Sequence, residues 1–304
     1  MGSRIGIHII GKGAQIPWLE RVKPAVVVTL FNGIDAGWVH EAKAASKDTL
    51  WVGRLVADQN LDRHEQFVDD LLRVAEPYHA DVTALIGYNE VSCQNEVDMA
   101  RWADLEEYRS DRLHVHGWQS VVGNFATGNP QRPDLDMFIW PAFYRAIIAG
   151  DYLGLHEYGW PDMRYDQGWH CGRFQWVYEM ALQAPELRRP LIISECGIDK
   201  GSRPPWNGEC GWRASGASAA EYVAQLRWYD SLLIREMQRL GIDIRAAVYC
   251  SGDNGDDQWR SFALDYAPQG ERSALDLLGD YIAASRRPKV LTIWREIWER
   301  ITRR

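Results

Sequence analysis

The chain has 304 residues, 46% of them hydrophobic, and a formal net charge of −8 with both signs spread along its length. That length suits a single α/β unit with a large core. The charge balance gives no general attraction to nucleic acid or to an anionic membrane surface, and no apolar run approaches the roughly 18 residues of a membrane-spanning helix.

Short apolar runs alternate with longer stretches of helical period. Met1-Gly2-Ser3 leads straight into Ile5–Ile10 with no cleavage-site pattern, so no signal peptide is read and location stays open between cytoplasmic and secreted in mature form. The second run, Ala25–Phe31, is dominated by β-branched residues, which favour a strand. Leu50–Val56, Val82–Tyr88, Ser120–Phe125, Tyr152–Leu155, Leu191–Ile193 and Ala246–Tyr249 follow. Between them the spacing predicts helices over His64–Glu76, Asp98–Arg109, Phe138–Ile148, Phe174–Leu182, Ala219–Leu240 and Ser273–Ala284. Continuous apolar strands separated by helices imply a parallel sheet buried on both faces. Eight such units predict an α/β fold of the closed (β/α)8 TIM-barrel type, one domain over residues 1–285. No G-x-G-x-x-G follows the first strand, which disfavours a dinucleotide fold.

Residues 286–304 differ in character, with seven basic residues against two acidic ones and Val290, Trp294, Ile297 and Ile301 on one helical stripe. This segment reads as an extra basic amphipathic helix or tail, packed on the barrel or docking a partner or membrane surface. Five cysteines lie scattered without metal-site spacing. Cys171 and Cys210, both in loop-like segments, are the pair open to a disulfide. Fifteen tryptophans make up about one residue in twenty. Trp160, Trp169, Trp206, Trp212 and Trp259 fall in Gly/Pro/Asp-rich stretches. A flat amphipathic ring in a loop suits either stacking on the apolar face of a sugar or anchoring the loop by burial.

In a barrel of this kind, reactive groups sit just past the C-terminal ends of the strands. Strand four runs into Asn89-Glu90, strand six into His156-Glu157-Tyr158-Gly159-Trp160, strand seven into Ser194-Glu195, and strand eight into Tyr249-Cys250. Carboxylates following directly on apolar strands are costly to bury unless paired or used. The dipeptide Asn-Glu carries little information alone, since Asn95-Glu96 repeats it. Position separates the two copies: Glu90 ends a strand-like run, whereas Glu96 opens a helical segment.

An Asn-Glu after strand four and a lone Glu after strand seven resemble the clan A retaining glycoside hydrolases, over the whole barrel in architecture and a few residues in detail. The resemblance implies cleavage of a glycosidic bond, β-linked, with Glu90 as acid/base, Glu195 as nucleophile, Asn89 bonded to a sugar 2-hydroxyl, an oligo- or polysaccharide partner, and no cofactor. The chemistry is consistent, because glycoside cleavage needs one protonated and one ionised carboxyl, and like charges facing each other oppose double ionisation. Tyr158 then holds Glu195 ionised, and His156 binds a sugar hydroxyl or the acid/base. Trp160 and Trp259 are candidate sugar platforms. Glu157 alternates away from His156 and Tyr158 and points behind the site. The sequence departs from the clan's pattern in having no Arg near the end of strand two, so Arg54 in strand three either takes that role or pairs with a rim carboxylate. Tyr249 and Cys250 stand where the clan often has Trp at the end of strand eight.

Rival chemistries find less support. A metal-dependent barrel hydrolase wants H-x-H after strand one, where His8 stands alone; His114 and His116 precede strand five. The acidic turn 252–257 lacks the spacing of an EF-hand, and no G-x-S-x-G is present. A non-catalytic carbohydrate-binding or surface-interaction barrel keeps the tryptophans but needs no carboxylate pair.

Overall fold

A computed structural model of the chain describes residues 2–132, 135, 139–165, 169–200, 210–252 and 259–286. The eight apolar runs form eight parallel strands: β1 (Ile5–Ile9), β2 (Val26–Leu30), β3 (Leu50–Arg54), β4 (Ala84–Ile86), β5 (Gln119–Phe125), β6 (Tyr152–Gly159), β7 (Leu191–Ile198) and β8 (Ile244–Ser251). They pair in chain order and close, β1 lying beside β8. The helices are α1 (Gln15–Val22), α2 (Ala36–Ala45), α3 (His64–Ala75), α4 (Glu96–Val115), α5 (Tyr144–Ala149), α6 (Phe174–Trp176, continuing as a π-turn over Val177–Ala181), α7 (Ala219–Leu240) and α8 (Ala274–Ser285). The expected (β/α)8 barrel is therefore the fold.

Strand period divides the core into two layers. Val26, Val28, Leu50, Val52, Ala84, Ile86, Val121, Ile192 and Ala247 pack together in the barrel's interior. The alternate residues, such as Ile5, Ile7, Trp51 and Leu85, meet the helices outside. Continuing the inner rows toward the strand ends places Arg54 above Leu50 and Val52, His8 above Gly6, and His156 and Tyr158 above Gly154. The interior thus turns from aliphatic to polar at its C-terminal mouth. β1 approaches β2 so closely that a Cβ on Gly6 would lie 1.6 Å from the Val26 carbonyl oxygen, which admits only glycine there.

Helix starts follow local capping chemistry. Ser218 and Glu221 form a reciprocal capping box at α7, and Gly241 closes that helix in the left-handed region. Asn95 caps α4 by accepting from the Asp98 amide at 2.9 Å, so the second Asn-Glu pair is a helix start. Two helices, α1 and α2, were not expected. Pro17 falls in the first turn of α1, where helix amides have no intrahelical acceptor, and Gly37 in the first turn of α2.

Strands β6, β7 and β8 run past their apolar segments. The residues expected just beyond β6 and β7 are paired within the sheet, with His156 opposite Glu195 and Tyr158 opposite Gly197. All five cysteines are buried thiols outside any disulfide, so Cys171 and Cys210 are not joined. Among the described residues no helix is long and apolar enough to cross a membrane. Residues 287–304, which carry almost all of the basic C-terminal segment, Trp206, and 253–257 of the acidic turn lie outside the described residues.

Candidate active site

Glu195 is the centre of the polar mouth. It sits on β7 beside a register irregularity that turns its carboxylate inward, and its side chain is about 10% exposed. Arg54, at the end of β3, donates from Nη1 to Oε1, and the Tyr158 hydroxyl donates to Oε2 at 2.8 Å. His156 Nδ1 lies 3.5 Å from the same Oε2. Burial alone opposes ionisation of Glu195, but His156, the Arg54 guanidinium and the Tyr158 hydroxyl outweigh it and hold the carboxyl down at about 2. Burial and the adjacent carboxylate push the Tyr158 phenol well above its ordinary range, so it remains a neutral donor. Gly197, two residues on, has φ 151°, and a Cβ there would meet the Tyr222 hydroxyl at 2.5 Å.

Glu90 faces Glu195 across His156. Its Oε1 lies 2.7 Å from His156 Nδ1, and its side chain is 39% exposed. One oxygen of each carboxylate and a ring nitrogen of His156 lie within 4.8 Å of one another. Glu90 has φ 55°, an unusual backbone for a glutamate, and its amide donates to the Asn124 carbonyl at 3.2 Å. Such a conformation persists when its surroundings impose it, and it is concentrated at functional positions.

Asn89 is aimed by a neighbour that the sequence reading missed. Asn124, on β5 and itself at φ 45°, donates from Nδ2 to Asn89 Oδ1 at 3.0 Å and accepts from the Ser194 hydroxyl. With its oxygen engaged, Asn89 keeps its amide N–H groups for another acceptor. His8 was also missed as a site residue. Its ring is buried, with Nδ1 4.0 Å from Glu195 Oε1, and burial pushes it down to about 3, so it is neutral at ordinary pH. Its parity with Gly6, opposite to Ile5, Ile7 and Ile9, was the signal available in the sequence.

Glu157 points behind the sheet, as expected. It is fully buried, accepting from the Gly172 amide at 2.5 Å, the Phe174 amide at 3.0 Å and the Tyr229 hydroxyl at 2.6 Å. Arg54 pairs with the Glu195 carboxylate, which is one of the two roles open to it. His114 lies at the opposite end of the barrel, bonded to Asp151 at 2.8 Å.

A cleft of about 490 Å³ opens beside Glu90, lined by Ala126 and Thr127 after β5, Tyr158, Trp160, Tyr165 and His170 on and after β6, and Asp199 and Lys200 after β7. Trp160 is half-buried, with the Lys200 ammonium 5.8 Å from its ring centroid. Trp259 packs against Tyr249 at 5.5 Å and Phe262 at 6.0 Å and does not line the cleft. Trp212 is a loop anchor, stacked on Tyr222 at 4.9 Å with its indole N–H on the Phe262 carbonyl.

Glu90, His156 and Glu195 are also close enough together to hold a cation. A metal ion there would have to coexist with the Arg54 guanidinium and displace donors already on Glu195. That donor set suits an ionised carboxylate better than a metal ligand.

Solved structures share the fold at low sequence identity. The endo-1,4-β-D-mannanase of Thermotoga petrophila RKU-1 matches with a TM-score of 0.54 and 13% identity, over 93% of this chain and 99% of that one. A GH128 (subgroup I) endo-β-1,3-glucanase from Amycolatopsis mediterranei, in complex with laminaritriose, gives 0.53 and 18% identity over 93% and 100%. An endo-β-1,4-glucanase from Xanthomonas axonopodis pv. citri gives 0.55 and 10% over 94% and 100%. At these identities the likeness is one of fold. No protein-family model and no curated protein matches the sequence.

Proposed function

We propose that the protein is a retaining glycoside hydrolase acting on a β-linked glycan, with Glu195 as nucleophile and Glu90 as acid/base. The observation that carries this reading is the carboxylate pair at the barrel mouth, with oxygens within 4.8 Å of each other. Retention uses carboxyl groups about 5–5.5 Å apart, and inversion needs about 6.5–9.5 Å to admit a water. The resemblance to clan A points the same way, as do neighbours in fold described as a β-mannanase and β-glucanases.

The environments of the two glutamates divide their labour. Glu195, buried and held ionised, attacks the anomeric carbon as the glycosidic C–O bond breaks. Glu90, partly exposed, gives its proton to the departing oxygen. Glu90 then takes a proton from a water that attacks the glycosyl ester, and Glu195 is released with configuration at the anomeric carbon retained. His156, bonded to Glu90 and close to Glu195, keeps the two aligned through both steps. The Asn89 amide, oriented by Asn124, is available to the sugar 2-hydroxyl. A purely sugar-binding barrel has no use for an Arg54–Glu195 pair buried at its mouth, since that burial is expensive.

A panel of nitrophenyl glycosides and β-linked polysaccharides identifies the sugar. On the active member, Glu195→Gln lowers turnover by about 10⁴-fold or more while the fold stays intact. Glu90→Ala loses most on substrates with poor leaving groups and is partly rescued by azide. Unchanged rates in Glu195→Gln would remove the nucleophile assignment, and equal loss across leaving groups would make Glu90 structural. A wholly inactive panel would favour the binding reading.

A further inference from the structure

Asn124, outside the reacting pair, touches the segments that carry both carboxylates. Past the last β4–β5 pair, Ile86 with Val121, the two strands are tied together by α4. Arg109 donates to the Leu85 and Val121 carbonyls at 3.1 and 2.7 Å, and its buried partner Glu106 accepts from the Gly123 amide at 2.8 Å. Gly123 and Asn124 then take φ 90° and 45° in succession. β5 thereby skips its pairing with β6 between Val122 and Phe125, and the irregular stretch passes against Gly154, where a Cβ would meet the Asn124 amide nitrogen at 2.9 Å. Asparagine is among the few residues with a side chain that visit this backbone routinely. The Asn124 side chain is 1% exposed and reaches both ways. Its Oδ1 accepts from the hydroxyl of Ser194, the neighbour of Glu195, and its Nδ2 donates at 3.0 Å to Oδ1 of Asn89, the neighbour of Glu90.

We propose that Asn124 is a positioning residue that acts through Asn89: together with Ser194 it fixes which end of the Asn89 amide faces the substrate, and so sets the part of the rate that depends on the sugar's 2-hydroxyl. This rests on the glycosidase reading above. A primary amide has an acceptor on one side and donors on the other, and a half-turn exchanges them within the same volume. In Asn124 the Ser194 hydroxyl occupies the oxygen, so Nδ2 is the group turned to Asn89. Asn89 answers with its oxygen and keeps its own Nδ2 for the mouth. A hydroxyl at C2 lies next to the anomeric carbon that Glu195 attacks, and its single proton is best placed on an ionised carboxylate oxygen. What it then offers Asn89 is a lone pair, which only an N–H can use. Bonds to that hydroxyl tighten in the transition state, so the wrong end of the amide costs turnover.

The test removes the donor without changing the shape. In Asn124→Asp the carboxylate keeps the bond from Ser194 but only accepts. Asn89 should then turn its N–H groups toward position 124 and its carbonyl toward the mouth. The probes are 4-nitrophenyl β-glycosides of glucose, mannose and galactose and of their β-linked disaccharides, each paired with the analogue lacking the 2-hydroxyl on the aryl-bearing sugar. On the cleaved pair, Asn124→Asp is expected to lower kcat/KM by about 10- to 100-fold on the 2-hydroxy sugar and by less than about threefold on the 2-deoxy analogue. The added negative charge near Glu90 acts on both members of a pair alike, so the comparison cancels it. In an Asn89→Ala background the same replacement should cost less than about threefold, because the group it works through is gone. Ser194→Ala, which adds no charge, should show the same selectivity at about 3- to 10-fold, and it carries the test should Asn124→Asp fold poorly. Equal losses on both members of a pair, or an undiminished loss in the Asn89→Ala background, overturn the inference while leaving the glycosidase reading standing. Absence of cleavage on every probe by folded wild-type protein refutes the glycosidase reading, and the role of Asn124 falls with it.

Discussion

Arg54→Met removes one of the groups that, after His156, oppose the effect of burial on Glu195. Methionine keeps much of the arginine stem's volume and removes the guanidinium. With charge centres about 4 Å apart, the Arg54–Glu195 attraction at an effective dielectric of about 20 is about 4 kcal/mol, or about three pK units. Both side chains are about 10% exposed, so solvent screens this little. The Glu195 carboxyl, held at about 2 by His156, Arg54 and their neighbours together, is then expected to rise. On the active aryl glycoside, the acid limb of kcat/KM against pH should move up by about two to three units. Stability follows with a definite sign. The folded carboxyl lies below its unfolded value of 4.5, so its contribution is present above pH 4.5 and is lost as pH falls toward 2. That contribution is about 3 kcal/mol in the wild type. Urea unfolding should therefore separate Arg54→Met from wild type by about 4 kcal/mol at pH 7 and by much less near pH 2.5. An unmoved acid limb together with equal stability at pH 7 would refute the assignment of Arg54 as a group that holds Glu195 ionised.

Three further outcomes follow from named contacts. Burial holds the Glu157 carboxyl up at about 7, so between the unfolded value of about 4.5 and about 7 the folded protein keeps a proton the unfolded chain has lost, and this group lowers stability as pH rises through that window. Glu157→Gln should remove that slope and cost about 1–3 kcal/mol through a lost acceptor oxygen, read by urea unfolding at pH 4.5 and 7; a persisting slope would assign it elsewhere. Trp212→Ala should cost about 3–5 kcal/mol in stability without altering KM, and a changed KM would place Trp212 in contact with substrate. The five thiols are buried, and burial pushes Cys93 up to about 12, so a thiol reagent should find none reactive in the native protein and five after denaturation.

The barrel was legible because its strands are short, apolar and separated by helices of clear period. The two exceptions, α1 and α2, hide behind Pro17 and Gly37, whose effect depends on position within a turn. Glu90 and Glu195 were legible as carboxylates ending apolar runs, and Arg54 as an arginine in phase with Leu50 and Val52. Asn124 was not, because its role depends on an irregular pairing of β5 with β6 between Val122 and Phe125. That irregularity brings an otherwise unremarked strand residue under Asn89. His8 was dismissed for lacking a second histidine, although its partner is the Glu195 carboxylate on a strand far away in sequence. The tryptophans divided by surroundings that composition does not encode: Trp212 beneath Tyr222, Trp160 along the cleft.

Glu157 touches no part of the cleft, yet it fixes where the segment after β6 returns, by binding the amides of Gly172 and Phe174. The chain is thus held where it leaves β6 and again where it returns at Gly172 and Phe174. Loss of that one inward-facing acid would release the returning end while His156 and Tyr158 stay anchored in the sheet.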